Sequence, residues 1–284
     1  MLEPWIDINA TPHYHDLMRL LGQEPARRIV MRMPWKAAFR TAFVIAVMMI
    51  GLSKAHAAEM TVMAANAVKR PLLELVSAFE RSSGHKITLS WGGTEGIAKK
   101  VNDGATVDVV IIAAANIDKL SSDGKLVAGS RADFAKIGIG IAVRAGLPRP
   151  DISSSEAVKS AVLAARSVAY SSGPSGFYIA DLFKKMGIAD QIRDKVRQPA
   201  SGVQVAELVA HGEADLGFQQ VSELVGVKGI DYLGPLPADI QNVTTYSAGL
   251  HTTSRAPEAA KALVKFLTAP EAGPIIKKSG MEPG

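Results

Sequence analysis

The chain has 284 residues, 48% hydrophobic and 21% charged, with a formal net charge of +5. That is globular composition with length for two cores, and it excludes a disordered chain, a collagen-like fibre and a coiled coil. There is no cysteine, so disulfides, thiolate metal sites and a cysteine nucleophile are excluded as well.

The first feature along the chain is an export signal. Residues 31–40 carry Arg32, Lys36 and Arg40 and no acid, and residues 41–52 (TAFVIAVMMIGL) are uncharged and apolar. Ala55-His56-Ala57 then supplies an A-x-A cleavage pattern. The apolar run is shorter than the roughly 20 residues a membrane span needs. Cleavage is expected after Ala57, with translation starting at Met1, Met31 or Met33, and the mature protein is expected in the periplasm. It is the only continuously apolar segment, which excludes a multi-span membrane protein. Seven of the 32 Lys/Arg and four of the 27 Asp/Glu lie in residues 1–57, leaving 25 against 23 in residues 58–284. With no basic stripe and interleaved aromatics, nucleic acid is not an expected partner.

From residue 58 onward strands and helices alternate. Residues 60–65 (MTVMAA), 86–91 (KITLSW) and 107–113 (VDVVIIA) read as strands, with helices predicted over 68–82, 97–102 and 117–121. Residues 137–143 (IGIGIAV) read as a fourth strand. A second run follows: helices at 158–164, 176–186, 203–211 and 221–225, and strands at 167–170, 215–218 and 230–233. A strand at 244–250 returns, and helices at 257–267 and 270–278 close the chain. The alternation predicts an α/β fold of two lobes, each a mainly parallel sheet flanked by helices, with a ligand cleft between them. The strands at 137–143 and 244–250 read as the crossings. Lobe I is then 58–138 plus 249–284, and lobe II is 139–248.

Ligands of such folds bind where strands end and helices begin, and a helix start offers unpaired N–H groups suited to an anion. Four junctions carry glycine or small polar residues: Ala64 to Ala67, Gly92 to Gly96, Ser171 to Gly176 and Pro199 to Gly202. Two fall in each lobe. Asn66, Thr94, Ser175 and Ser201 are also good helix caps, and a cap needs no ligand.

The segments MTVMAANAV, SWGGTEGIAKKVNDGATVDVVIIAA, GPSGFYIADLFKKMGI, VQVAELVAHGEADLGFQQVSEL and AAKALVKFLTAPEAGPIIKKSG, in that order, resemble the periplasmic molybdate-binding proteins of ABC importers, a branch of the type II solute-binding proteins. The resemblance implies a tetrahedral dianion held by hydroxyls and backbone amides. The hydroxyl positions fall on Asn66 and Thr94, the backbone donors on Ser175 and Gly202, and a tyrosine hydroxyl of the family on Gln220. Asn66 stands where the family has serine, and Gln220 where it has tyrosine. The resemblance further implies a small anionic ligand, an ABC permease in the inner membrane as partner, and no cofactor. A monomer is expected, since the cleft must close against the permease.

Three functional readings follow: an importer component for molybdate or tungstate; the same module binding a small organic carboxylate, with Lys69 and Arg70 as neutralising cations; or an enzyme. A periplasmic aconitate isomerase is known to resemble these proteins, and in that case Glu95 or Tyr178 would be the general base. His85, His211 and His251 are the histidines after residue 57, too far apart in sequence to suggest a metal site.

Overall fold

The computed structural model describes residues 57–200 and 202–284. The basic segment, the apolar run and most of the A-x-A pattern lie outside the described residues, as does Ser201. The first half holds β1 (Glu59–Ala65), α1 (Lys69–Ser83), β2 (Lys86–Gly92), α2 (Thr94–Asn102), β3 (Val109–Ala113), α3 (Ala114–Ser122) and the long β4 (Ala132–Arg144). Next come α4 (Ser155–Ala164), β5 (Val168–Tyr170), α5 (Pro174–Lys185), α6 (Ala189–Ile192), β6 (Val196–Arg197), α7 (Val205–Ala210), β7 (Leu216–Gln220), α8 (Val221–Leu224) and β8 (Ile230–Pro235). β9 (Val243–Leu250), α9 (Pro257–Leu267), α10 (Gly273–Lys278) and β10 (Glu282–Pro283) complete the chain.

The strands hydrogen-bond in the order β2-β1-β3-β9-β4-β7-β5-β6, with β8 and β10 also on β4. β1 pairs parallel with β2 and β3, and β5 pairs parallel with β6 and β7. The middle departs from the parallel expectation: β3–β9, β9–β4 and β4–β7 are all antiparallel. The cause is β4, which serves both parallel blocks. Its first half, up to Gly138, pairs with β9, and from Ile139 onward it pairs with β7. A strand that crosses once and a strand that returns must run in opposite directions. The crossing lies at the Gly138-Ile139-Gly140 stretch, where a Cβ on Gly140 would come within 2.7 Å of the Tyr232 ring.

Local patterning accounts for the elements. All of β3 is buried, as its unbroken apolar run requires of a strand covered on both faces. α1 buries Leu72, Leu75, Val76 and Phe79 at helical spacing. It stops at Gly84, whose φ of +76° only glycine adopts without strain. The buried side chains fall into separate clusters. One joins Phe79, Ile111, Phe134 and Leu263; another joins Ile141, Phe183 and Phe218; a small third surrounds Val205, Val209 and Leu224. The short α6 and β6 were not legible, because a four-residue helix and a two-residue strand carry no periodicity.

Asp108, the acid of the T-V-D-V run, ties the first block together. It is 6% exposed and accepts from Thr61 N at 2.8 Å, Thr61 Oγ1 at 3.1 Å, Ser254 Oγ at 2.7 Å and Arg255 N at 3.0 Å. Burial alone would raise its pKa; the four donors outweigh burial and hold it below the ordinary carboxylate value. Asp108→Ala is expected to cost about 2–4 kcal/mol by urea unfolding at neutral pH, because it leaves buried donors unpaired. A depressed folded pKa means the contribution is complete above the unfolded value of about 3.9 and disappears as pH falls through the lower folded one. The gap between wild type and variant should therefore narrow in acid.

Candidate functional site

The strand ends of both parallel blocks converge on a cavity of about 40 Å3. One wall is Ala65 to Ala67 after β1, and Gly92 to Thr94 after β2. The facing wall is Ser171 to Ser175 after β5, Gly202 to Gln204 before α7, and Gln219, Gln220 and Glu223 from β7 and α8. Tyr246 of β9 also lines it.

Thr94 is the first residue of α2, 3% exposed, and its Oγ1 has no hydrogen-bond partner. Buried polar groups are nearly always paired, so an orphan hydroxyl on a cavity wall is a candidate contact for a bound group. The backbone repeats the message. α2 has no side-chain cap, and Ile97 N, bonded to Gly93 O, is the first amide with a helical partner. The three amides before it have no helical carbonyl to reach. α5 also lacks a side-chain cap. There Pro174 has no N–H, Gly176 N donates to Ser171 Oγ at 3.1 Å and Phe177 N to Gly173 O at 3.0 Å. The Ser175 amide is left over. Its hydroxyl is engaged with Ser171 Oγ at 2.9 Å. Asn66, Thr94 and Ser175 therefore do not cap helices.

The walls also touch each other. Asn66 Nδ2 donates to Gly202 O at 3.0 Å. Gly202 has φ of +90°, and a Cβ there would lie 3.3 Å from Gly93 N. Ser222 Oγ donates to Ala67 O at 2.7 Å nearby. Glycine is required at Gly202 for conformation and for this close approach.

All five residues expected to contact ligand, Asn66, Thr94, Ser175, Gly202 and Gln220, line the cavity. Gln220, however, spends its amide on the scaffold. With both ends satisfied, its Nε2 donates to Gly138 O and Ile137 O at 3.2 Å, and its Oε1 accepts from Thr244 Oγ1 at 3.0 Å. A tyrosine hydroxyl does reach the cavity, from Tyr246, whose polar neighbours are Thr94 and Gln220. Burial first, and the nearby Glu223 second, raise its pKa, so it remains a neutral donor.

Four other candidates lie elsewhere. Lys69 and Arg70 open α1 on its exposed side. Lys69 Nζ sits 5.6 Å over the Trp91 ring, and Arg70 Nη1 donates to Val225 O at 2.8 Å. Glu95 accepts from Asn116 Nδ2 at 3.2 Å, and Tyr178 donates to Ile240 O at 2.9 Å. None of the four lines the cavity, because each side chain leaves its helix toward a neighbouring element. Glu223 was not legible as a site residue. It follows a strand by three residues, and only the sheet brings it to Thr94. It keeps partial exposure, as a wall residue does, but protein surrounds its carboxyl. Burial raises its pKa to about 7, against the opposing effect of Gln204 and Gln219 beside it. No Lys, Arg or His is among the described residues that line the cavity. The described residues hold no cluster of His, Asp and Glu fit for a metal ion, and no helix among them is long and apolar enough to cross a membrane.

The family model described as bacterial extracellular solute-binding protein matches residues 60–282. An aconitate isomerase from Pseudomonas sp is 37% identical over 231 residues, 79% of this chain and 87% of that protein. The molybdate-binding protein ModA of Azotobacter vinelandii is 30% identical over 233 residues, 80% of this chain and 90% of that one. A solved periplasmic molybdate-binding protein from Azotobacter vinelandii superposes with a TM-score of 0.69 at 21% identity, covering 79% of this chain and 99% of that one.

Thr94→Val replaces the orphan hydroxyl with a methyl of similar shape. Without ligand, the variant is expected to be as stable as wild type or up to about 1 kcal/mol more stable, read from chemical unfolding. A loss of 2 kcal/mol or more would mean that the hydroxyl serves the fold.

Proposed function

The chain belongs to the family of bacterial extracellular solute-binding proteins, and on that premise we propose that its cleft captures a small tetrahedral oxyanion of the molybdate and tungstate type for an inner-membrane ABC permease. The orphaned Thr94 hydroxyl at the uncapped start of α2 carries the reading. With the free amides of α2 and the Ser175 amide, it offers a convergent set of donors and no cation. Such donors suit an anion, and enclosure strengthens each bond.

Size supports the same ligand. A single water needs about 10–15 Å3 of such space, so 40 Å3 accommodates three or four water-sized atoms, about the four oxygens of an oxyanion. In this reading 58–138 with 249–284 forms one lobe, 139–248 forms the other, and they close on the anion through contacts such as Asn66 to Gly202. The basic segment, apolar run and A-x-A pattern support export with cleavage after Ala57, and the mature protein acts as a monomer.

A second reading is favoured by one observation: an ionisable carboxyl and a phenol, Glu223 and Tyr246, line the cavity, and a relative is named aconitate isomerase. Moving a proton between the carbons of an allylic carboxylate needs a group that titrates near neutrality. The lobes would have to open wider for a tricarboxylate, and the wall offers no cation to its three charges.

Trp91, the one tryptophan among the described residues, immediately precedes Gly92 of the wall and reports on both readings. Residues 58–284, freed of bound ligand, are titrated with molybdate, tungstate and sulfate, then with cis- and trans-aconitate and citrate. The expected result is a saturable change with molybdate or tungstate at micromolar concentration, weakened about tenfold or more in Thr94→Val through loss of a hydrogen bond to a charged group. Response to the tricarboxylates alone, with interconversion of the aconitates in an ultraviolet assay, would establish the second reading in its place.

A further inference from the structure

On the reading that the cleft binds an oxyanion, we infer that Glu223 and the bound anion share one proton, so that capture of a fully ionised dianion draws a proton from solution.

Glu223 opens on the same small space as Thr94, Ser175 and Tyr246. A dianion placed there lies within a few ångströms of the Glu223 carboxyl. In protein-like surroundings, two unit charges about 4 Å apart repel enough to reduce affinity about a thousandfold. No full positive charge on the wall offsets this, since no Lys, Arg or His is among the described lining residues. A site with this composition binds an anion well only if the carboxylate is removed as a charge. Protonation does so and converts an acceptor into an O–H donor aimed at the ligand.

The surroundings favour that state before ligand arrives. Burial holds the carboxyl near neutrality, with a pKa of about 7. α8 packs on β4, β7, β8 and the turn 66–68. The charged residues of those strands are Asp133, Lys136 and Arg144 on β4 and Asp231 on β8, and none of them contributes to the Glu223 shift. Arg70 is turned to Val225 O beyond the end of α8. The groups that face Glu223 are the amides of Gln204 and Gln219 and the phenol of Tyr246, which stays neutral. Gln219 is itself fixed, with Nε2 donating to Gln204 Oε1 at 3.0 Å and Oε1 accepting from Ala206 N at 3.3 Å. The amides cannot take the proton, so the titration belongs to Glu223.

The sign follows from linkage. Below the pKa of the free protein, Glu223 is already protonated and affinity is flat. Above it, each bound dianion must bring a proton with it, and affinity falls about tenfold per pH unit.

The test is calorimetric titration of residues 58–284 with molybdate from pH 6 to 9, in pairs of buffers that differ in ionisation enthalpy. Wild type is expected to take up close to one proton per anion at pH 8.5 and to lose affinity with a slope near one. Glu223→Gln keeps a donor and cannot titrate; it should bind with no proton uptake and a flat profile. Molybdate binding to wild type without proton uptake overturns the inference and leaves the oxyanion reading standing. The same holds if an equal uptake persists in Glu223→Gln. Failure of wild type to bind molybdate, tungstate or sulfate at any pH overturns the reading and the inference together.

Discussion

A buried hydrogen-bonding group needs a partner, and the Thr94 hydroxyl at the start of α2 makes no hydrogen bond. It lies on the cavity wall, and the first amides of the helix have no helical carbonyl to reach. The remaining architecture sets the terms of that deficit. β1 and β2 run parallel and end side by side at Ala65 and Gly92, which delivers the Asn66 and Gly92–Thr94 turns to one wall. β5 and β7 do the same for the other wall. The two walls can face each other only because β4 and β9 cross between the blocks in opposite directions. Gly202, at a φ of +90° that favours glycine, then comes close enough to Gly93 that a Cβ would lie 3.3 Å from its amide nitrogen.

Enclosure without cations has a chemical consequence. A lysine or arginine in the wall would attract any anion by charge, whatever its shape. Neutral donors fixed by the backbone reward only an anion whose oxygens meet them, and they can be shut away from water at far lower cost than an unpaired charge. Lys69 and Arg70 stay outside this wall, on Trp91 and on the Val225 carbonyl. The one acid inside, Glu223, is the exception that sets the protonation state of the site. The same residue is what a proton-transfer enzyme on this scaffold would need.

Much of this was legible in the residues. The apolar runs at β1, β3 and β9 and the helical spacing of α1 and α9 report burial, which composition encodes directly. The glycine and small polar junctions mark strand ends, and the five residues that the family resemblance implied as ligand contacts, four of them in those junctions, line the cavity. What the sequence hides is direction and distance. Glu95 and Tyr178 lie next to the right turns, yet their helices carry them to Asn116 and Ile240. Tyr246 and Glu223 reach the cavity from a returning strand and from a four-residue helix, and only tertiary pairing brings them to Thr94. Gln220 is at the right place, but its amide is consumed by the carbonyls of β4, a partner no local pattern reveals. Asn66, Thr94 and Ser175 have good capping chemistry and leave the caps empty, which appears only once hydrogen bonds are traced.

The most direct test of recognition by uncharged donors is a crystal structure of residues 58–284 with tungstate, located by its anomalous scattering. One tungsten site is expected in the cavity, with oxygens in hydrogen-bond reach of Thr94 Oγ1, the α2 amides and the Ser175 amide, and no lysine or arginine in contact. An anion held by Lys69 or Arg70, or one bound outside the cavity while Thr94 Oγ1 remains unpaired, would contradict recognition by uncharged donors.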